Sequence, residues 1–308
     1  MYVPGPRSPR APVPLVVALH GCGQSPEDLA AGTRLNELAD REGFVAVYPE
    51  QDAEHNRRGC WNWFRPQHQV RGSGEPAAIA GIIEKVLGEE TRADVDPTRV
   101  YVLGMSAGAA MASIVATAYP DVVAAAGVHS GLPYAAALNA PSALQAMRGG
   151  GPDPAWQGRL AHAAMGSRAR VVPVVVVHGE EDETVRPGNG EHTVRQWLAT
   201  IRAASHGRLR PDFAHPDRTR EDVSPGGLGY SVRHWNDDAA AGRPLVEYWL
   251  ISGLGHAWSG GADAGSYTDP RGPDATEAIY RFLHRHRLRA DPAAAAPRRP
   301  RPRRRRAA

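Results

Sequence analysis

The sequence is poor in cysteine and has no long apolar run, and each absence excludes a class of protein. Its 308 residues include only two cysteines, Cys22 and Cys60, too few for a disulfide-rich scaffold or a four-ligand zinc site. No run of 18 or more apolar residues is present, so no transmembrane segment is predicted. No His-Glu-x-x-His motif or comparable ligand cluster occurs, and we expect neither a metal site nor a cofactor.

Positive charge is concentrated at the carboxyl end of the chain. The net charge is +3, but seven arginines lie in the last eleven residues, so residues 1–297 carry a net charge of −4. We therefore expect no nucleic acid partner for the globular part; an anion-binding protein acting through the arginine-rich tail is the competing hypothesis. Because residues 290–308 are almost entirely Ala, Pro and Arg, we expect them to be disordered, beyond one domain of residues 1–289.

Short β-branched runs alternate with stretches of helical spacing along the chain. Strands are predicted at residues 15–19, 45–48, 100–103, 122–128, 172–177 and 245–251, and helices within 25–42, 75–87 and 107–118. The polar segment 202–243 is predicted to carry a short strand near 230–235, antiparallel to the 245–251 strand. This alternation predicts an α/β fold with a mostly parallel central sheet and helices on both faces.

One serine lies in the sequence setting expected of a nucleophile. Gly104-Met105-Ser106-Ala107-Gly108 is a G-x-S-x-G pentapeptide between the 100–103 strand and the 107–118 helix. Such a turn holds the serine in a strained backbone conformation with its hydroxyl above the sheet, and it requires residues without a Cβ two positions to either side. The pattern therefore predicts that Ser106 is a nucleophile.

Two later loops supply the base and the acid that a serine nucleophile needs, in the chain order serine, acid, histidine. His256 follows the last predicted strand in a Gly-rich loop, and this position favours it as the base. The loop after the 172–177 strand holds four carboxylates. Asp182 is preferred there as the acid, and the alternatives are Glu180, Glu181 and Glu183.

The loop after the first strand is the candidate second half of an oxyanion hole. Two backbone N–H groups must stabilise a tetrahedral intermediate, one from the residue after the nucleophile, Ala107, and one from an early loop. In Leu19-His20-Gly21-Cys22-Gly23-Gln24 the natural donor is the N–H of Cys22, with His20 as a structural hydrogen-bonding residue. A disulfide between Cys22 and Cys60 would hold this loop; the alternative is two buried free thiols.

Several long segments match one family in order. They are LVVALHGCGQSPEDLAAGTRLNELADREGFVAVYPEQ, GCWNWFRP, RVYVLGMSAGAAMA, AGVHSGLPY, VVVVHGEEDETV and GLGHAWSGG. Together, from about Tyr2 to Leu283, they resemble the poly(3-hydroxybutyrate) depolymerase family of esterases, whose relatives include feruloyl and acetylxylan esterases. The resemblance implies an α/β-hydrolase catalytic domain over residues 1–289. It also implies these site residues: a triad of Ser106, Asp182 and His256, and oxyanion donors on Cys22 and Ala107.

The resemblance further implies cofactor-free hydrolysis of carboxylic esters through an acyl-serine intermediate. The implied substrates are 3-hydroxyalkanoate oligomers or polymer, and a feruloyl or acetylxylan esterase acting on small aryl or acetyl esters is the alternative. Residues near the motifs are candidates for the substrate pocket: Trp61, Trp63, Ser130, Tyr134 and Trp258.

The family resemblance and the first residues of the chain both bear on the cellular location. The resemblance implies an extracellular or periplasmic location, and a Cys22–Cys60 bridge would suit such an oxidising compartment. The first residues contain no apolar stretch before a small-residue cleavage site, so a cytoplasmic location is the alternative. Because the family's first strand normally extends upstream of Tyr2, we expect the amino-terminal strand to be truncated.

Overall fold

Eight strands form one central sheet in the computed structural model, which describes residues 1–5, 12–88, 94–237 and 243–289. The strands are β1 (Val13–Leu19), β2 (Val45–Val47), β3 (Val95–Met105), β4 (Ala125–His129), β5 (Val174–Gly179), β6 (Arg218–Val223), β7 (Gly229–Asn236) and β8 (Pro244–Ile251). Their order is β2-β1-β3-β4-β5-β8-β7-β6. Pairing is parallel from β2 to β8 in this order, whereas β7 is antiparallel to β8 and β6 to β7. A separate parallel pair joins β9 (Trp258–Ser259) to β10 (Thr268–Asp269).

Helices cover both faces of this sheet. They are α1 (Pro26–Thr33), α2 (Leu35–Glu42), α3 (Gly74–Leu87), α4 (Ala107–Ala118), α5 (Ala140–Gly149), α6 (Pro154–Met165), α7 (Gly188–Ala204) and α8 (Ala275–Leu283). Because side chains alternate along a strand, β1 sends Leu15 into a core cluster with Trp197 of α7 and Val16 into a second cluster with Phe282 of α8. The predicted α/β-hydrolase architecture, with a mostly parallel sheet between helices, is confirmed.

Three local expectations differ from the structure. The 25–42 region is two helices, because Arg34 has a left-handed conformation (φ 54°) that ends α1. Strand β4 begins only at Ala125, since the N–H groups of Val122 and Val123 donate to the Tyr119 carbonyl in the turn after α4. Strand β6 was not predicted, because all its residues are exposed and it shows no apolar alternation.

The remaining expectations concern the antiparallel strand, membrane spans and the tail. The strand predicted near 230–235 is β7, and it pairs antiparallel with β8 as expected. Within the described residues, every helix is too short or too polar to span a bilayer. The tail, residues 290–308, lies outside the described residues.

The first turn of α4 packs so closely against the end of β1 that backbone atoms of the two elements are in direct contact. A Cβ on Gly108 would lie 2.1 Å from the Leu19 carbonyl oxygen, and a Cβ on Gly104 would lie 2.4 Å from the Gly108 carbonyl carbon. No side chain fits at either position, so both glycines are required by close approach. As a result, the turn that carries Ser106 packs directly against the loop that follows β1.

We expect Gly108→Ala to destabilise the fold by about 2 kcal/mol or more, because its methyl group would overlap the Leu19 carbonyl. Gly81→Ala is the matched control: Gly81 also lies within a helix, but a Cβ there meets nothing within 4 Å. The control should be neutral or more stable by up to about 1 kcal/mol. Urea unfolding of both variants measures the difference, and equal stabilities would contradict this packing.

Candidate active site

Ser106 occupies a sharp turn between β3 and α4. Its backbone is held at φ 54° and ψ −119°, and its N–H donates to the His129 carbonyl at the end of β4 (2.9 Å). This conformation is strained for a residue with a side chain, and tight packing around Gly104 and Gly108 maintains it. The predicted setting of Ser106 between strand and helix is therefore present in three dimensions.

His256 lies between Ser106 and Asp182. Its Nε2 is 3.0 Å from Ser106 Oγ, and its Nδ1 is 2.7 Å from Asp182 Oδ2. An ionised carboxylate only accepts hydrogen bonds, so Nδ1 carries the proton and Nε2 is the acceptor that faces the serine hydroxyl. The arrangement can remove a proton from Ser106.

The four carboxylates of the acid loop differ sharply in their surroundings. Asp182 is 2% exposed, and its Oδ1 accepts the N–H groups of Thr184 and Val185 at 2.9 and 2.8 Å. The other three, Glu180, Glu181 and Glu183, are exposed. Burial by itself would raise the pKa of Asp182, but the hydrogen bonds from His256 and from the Val185 N–H lower the pKa below its usual value. Asp182 is therefore ionised near neutral pH.

Two further buried histidines surround this group without contacting the serine hydroxyl. His178 Nε2 donates to the Val185 carbonyl (2.7 Å) and lies 3.5 Å from Asp182 Oδ2, and burial lowers its pKa. His129 Nε2 accepts the Ser259 N–H (3.1 Å), so its Nδ1–H donates to Ser130 Oγ. Burial, reinforced by neighbouring histidines, lowers the pKa of His129 to about 3. Both rings stay neutral and hold the loops that carry the acid and His256.

The loop after β1 lies directly over the serine. A Cβ on Gly21 would be 3.5 Å from Ser106 Cβ. His20 Nε2 accepts the Gln51 N–H (3.0 Å), so its Nδ1–H donates to the Gly21 carbonyl (2.8 Å). Because a trans peptide directs its C=O and N–H in opposite directions, this bond orients the N–H of Cys22 away from His20. His20 thus has the predicted structural role.

The predicted oxyanion donors are both available. Among the described residues, the N–H groups of Cys22 and Ala107 have no protein acceptor. Ala107 begins α4, where the first N–H groups of a helix lack intrahelical partners and the helix dipole favours negative charge. Both N–H groups belong to residues next to Ser106, by sequence for Ala107 and through the packing of Gly21 on Ser106 for Cys22, and both are free to donate to an oxyanion.

A disulfide joins Cys22 to Cys60, with a Cα–Cα distance of 4.2 Å. It links the loop after β1 to the segment before Trp61, whose Nε1–H donates to the His20 carbonyl (3.0 Å). Buried Glu75 holds the same segment, because it accepts the backbone N–H of Asn62 (2.7 Å). The position of the Cys22 N–H is therefore held from two sides.

A cleft of about 550 Å³ opens above Ser106 and His256. One wall is apolar and comes from two segments: Trp63 and Phe64 after the disulfide, and Ala140, Ala143, Leu144 and Met147 of α5. Tyr267 stands at the rim, 53% exposed, with its ring edge-on to His256 at 6.3 Å between centroids. The lining also includes polar side chains: Gln24, Asn56, Arg58 and Thr184.

Of the five predicted pocket residues, only Trp63 lines this cleft. Trp61 is turned toward His20, and Trp258 stacks on His129 at 4.7 Å and donates to Thr276. Ser130 is fully buried. The hydroxyl of Tyr134 donates to the Gln69 carbonyl (2.9 Å).

The apolar side chains of α5 form a part of the cleft that was not predicted. Residues 140, 143, 144 and 147 follow the spacing of one helix face, and this signal could have located the wall. No local signal identifies Tyr267, whose place beside His256 depends on the fold of the loop between β9 and β10.

The sheet is mostly parallel, and a serine, an imidazole and a buried carboxylate are hydrogen-bonded in series beyond the carboxyl ends of β3, β8 and β5. This arrangement defines the α/β-hydrolase fold. The model of the family "Esterase PHB depolymerase" matches residues 1–225, and the chain belongs to that family. The resemblance noted in the sequence is thus confirmed.

Curated relatives and solved structures agree with this class. Poly(3-hydroxyalkanoate) depolymerase C of Paucimonas lemoignei is 36% identical over 260 residues, covering 83% of this chain and 58% of that protein. Feruloyl esterase B of Thermothelomyces thermophilus is 33% identical over 204 residues, covering 64% of this chain and 68% of the esterase. The acetyl xylan esterase from Aspergillus awamori shares the fold, with a TM-score of 0.68 at 23% identity over 83% of this chain and 87% of its own. The chain thus spans little more than half of the depolymerase that it matches.

Acid should weaken the fold partly through His129. Its folded pKa of about 3 lies below the usual value of an unfolded histidine, so the unfolded chain binds a proton that the folded protein does not. The stability is fully present above about pH 6.5 and is lost as pH falls toward 3. From pH 7 to pH 5 this one residue should cost about 2 kcal/mol.

Urea unfolding of His129→Gln at both pH values measures that contribution, since glutamine keeps an acceptor but does not titrate. The variant should lose about 2 kcal/mol less than the parent between pH 7 and pH 5. His55→Gln, which changes an exposed histidine, is the control and should behave like the parent. An unchanged pH dependence in His129→Gln would contradict the assignment.

Proposed function

We propose that the chain hydrolyses carboxylic esters with Ser106 as nucleophile, His256 as base and Asp182 as the acid that orients the base. The observation that carries the proposal is the hydrogen-bonded series from Ser106 Oγ through His256 to buried Asp182, at 3.0 and 2.7 Å. Membership of an esterase family supports the same chemistry.

The reaction follows from the protons in this series. Ser106 Oγ attacks the ester carbonyl carbon while His256 Nε2 accepts its proton, and the imidazolium is stabilised by ionised Asp182. The N–H groups of Cys22 and Ala107 stabilise the oxyanion. His256 then gives the proton to the departing alcohol, leaving an acyl group on Ser106. A water molecule, deprotonated by His256, releases the acid and restores Ser106.

We propose 3-hydroxyalkanoate esters, oligomeric or polymeric, as the substrates. The likeness to a poly(3-hydroxyalkanoate) depolymerase and the apolar wall of the cleft support this choice. Feruloyl and acetylxylan esters are the competing substrates, on the strength of the relatives named for them. Hydrolysis rates on hydroxybutyrate oligomers, a feruloylated sugar and acetylated xylan, measured side by side, distinguish the three.

We also propose that residues 1–289 act as one catalytic domain in an extracellular or periplasmic compartment. The single sheet that includes both β1 and β8 supports one domain.

The disulfide between Cys22 and Cys60 supports an oxidising compartment. If the protein were equally active with and without a reductant, its activity would not depend on the disulfide, and this support for an oxidising compartment would be lost.

Labelling by a fluorophosphonate tests the nucleophile. The parent should bind one equivalent of the probe, and Ser106→Ala should bind none, because the reagent reacts with an activated serine hydroxyl. Ser113→Ala is the matched control, since Ser113 is a buried serine of the same helix that donates to the Leu132 carbonyl. It should label like the parent. Mass spectrometry measures the adduct, and labelling that persists in Ser106→Ala would remove Ser106 from the mechanism.

Replacement of the acid tests the choice among the four carboxylates. Asp182→Asn should lower kcat about 1,000-fold or more with little change in KM, because the amide no longer favours the required tautomer of His256. Glu181→Gln, in which an exposed neighbour loses its charge, should keep kcat within about twofold. Steady-state kinetics on a p-nitrophenyl ester compares them. Similar losses in the two variants would contradict the role of Asp182.

A further inference from the structure

The cleft above Ser106 has an unbalanced charge. Among the described residues that line it, Arg58 is the one lysine or arginine, and none is an aspartate or glutamate. Arg58 is exposed and forms no ion pair with any described residue. The chain up to residue 297 is mildly acidic, with a net charge of −4. The cleft that contains the proposed nucleophile is therefore lined by one arginine without an ion-pair partner among the described residues, in a chain whose other residues up to 297 are mildly acidic.

The backbone of Arg58 is hydrogen-bonded to the loop after β1, which carries the proposed oxyanion donor Cys22. Its carbonyl accepts the Gly23 N–H (3.0 Å), and its N–H donates to Asn56 Oδ1 (3.0 Å). Two residues further on, Cys60 is bonded to Cys22. The Cα of Arg58 is thus held in place near the proposed oxyanion hole. Because the backbone is already ordered, binding of a ligand by the Arg58 side chain costs less conformational entropy.

The rest of the lining complements this charge. Trp63 and Phe64 follow Arg58 on the same segment, and Leu144 and Met147 of α5 face the same space. A guanidinium presents its N–H groups in a planar fork that matches the two oxygens of a carboxylate. An apolar wall together with this fork suits a short amphiphilic acid better than a neutral sugar.

We propose that Arg58 is a specificity-determining residue that binds the free carboxylate of an ester substrate. The substrates favoured by the cleft are then esters whose alcohol part is itself a hydroxyacid, such as the terminal unit of a 3-hydroxyacid oligomer. In that unit two carbons separate the ester oxygen from the carboxylate, so both groups fit into one cleft. Acetylated or feruloylated neutral sugars have no such anion. The inference rests on the proposed esterase function and narrows its substrate class.

A pair of substrates that differ in one charge tests this role. The first is the dimer of 3-hydroxybutyrate with a free carboxylate, and the second is the same dimer with a terminal carboxamide, which is neutral and is not an ester. The parent should favour the acid about tenfold in kcat/KM, through KM, because a charged hydrogen bond is lost with the amide. In Arg58→Gln the ratio should fall to about one, and Arg58→Lys should keep part of it as a point charge.

Arg57→Gln is the matched control. Arg57 is the exposed neighbour and does not line the cleft, so its replacement changes the net charge equally but should keep the parent's ratio. Salt offers a test without mutation: between about 0.05 and about 0.5 M NaCl the preference of the parent should shrink, whereas Arg58→Gln should show little change.

The outcomes separate the two proposals. Hydrolysis of both dimers without preference by the parent, or an equal preference in Arg58→Gln, overturns the role of Arg58 and leaves the esterase function standing. A loss of preference in Arg57→Gln as large as in Arg58→Gln also overturns it, because the effect would then be long-range. If the parent neither hydrolyses any ester nor reacts with a fluorophosphonate, the esterase function itself fails, and this inference fails with it.

Discussion

The backbone contact between the first turn of α4 and the end of β1 determines the geometry of the site. At Gly108 the distance leaves no room for a Cβ, and at Gly104 the turn closes equally tightly on itself. The chain passes from β3 into α4 through a strained conformation with positive φ at Ser106. The same approach brings the Gly21–Cys22 peptide over the serine, so the proposed nucleophile and the proposed oxyanion donors are positioned by one packing constraint.

The electrostatics around His256 depends on the buried carboxylate of Asp182. Asp182 is ionised and accepts bonds from His256 and from backbone N–H groups, whereas burial holds His129 and His178 neutral. If His129 or His178 were protonated, its positive charge would oppose formation of the His256 imidazolium that the proposed reaction needs. Neutral rings can still donate and accept hydrogen bonds, and these two use that capacity to hold the Ser259 and Val185 backbones.

Much of this arrangement could be predicted, and the failures have physical causes. The alternation of strands and helices, the turn at Ser106 and the place of His256 after β8 all follow from patterns of near neighbours. The pocket was less predictable: Trp258 adjoins the His256 loop in sequence, yet its ring stacks on His129 beneath the site rather than facing the cleft. Proximity along the chain does not tell on which side of a loop a ring will pack.

The sequence by itself determined the fold class, the proposed nucleophile and the base, because strand and helix periodicity and the G-x-S-x-G turn depend on residues close in the chain. Only the tertiary structure decided which of four adjacent carboxylates reaches His256, since that depends on the orientation of a loop relative to another loop 74 residues away. It also decided that Trp63 and α5 form the apolar wall of the cleft, and that the cleft is lined by Arg58, which has no ion-pair partner among the described residues. Each of these features depends on contacts between segments that are remote in sequence. Such contacts form only when the sheet brings the ends of its strands together.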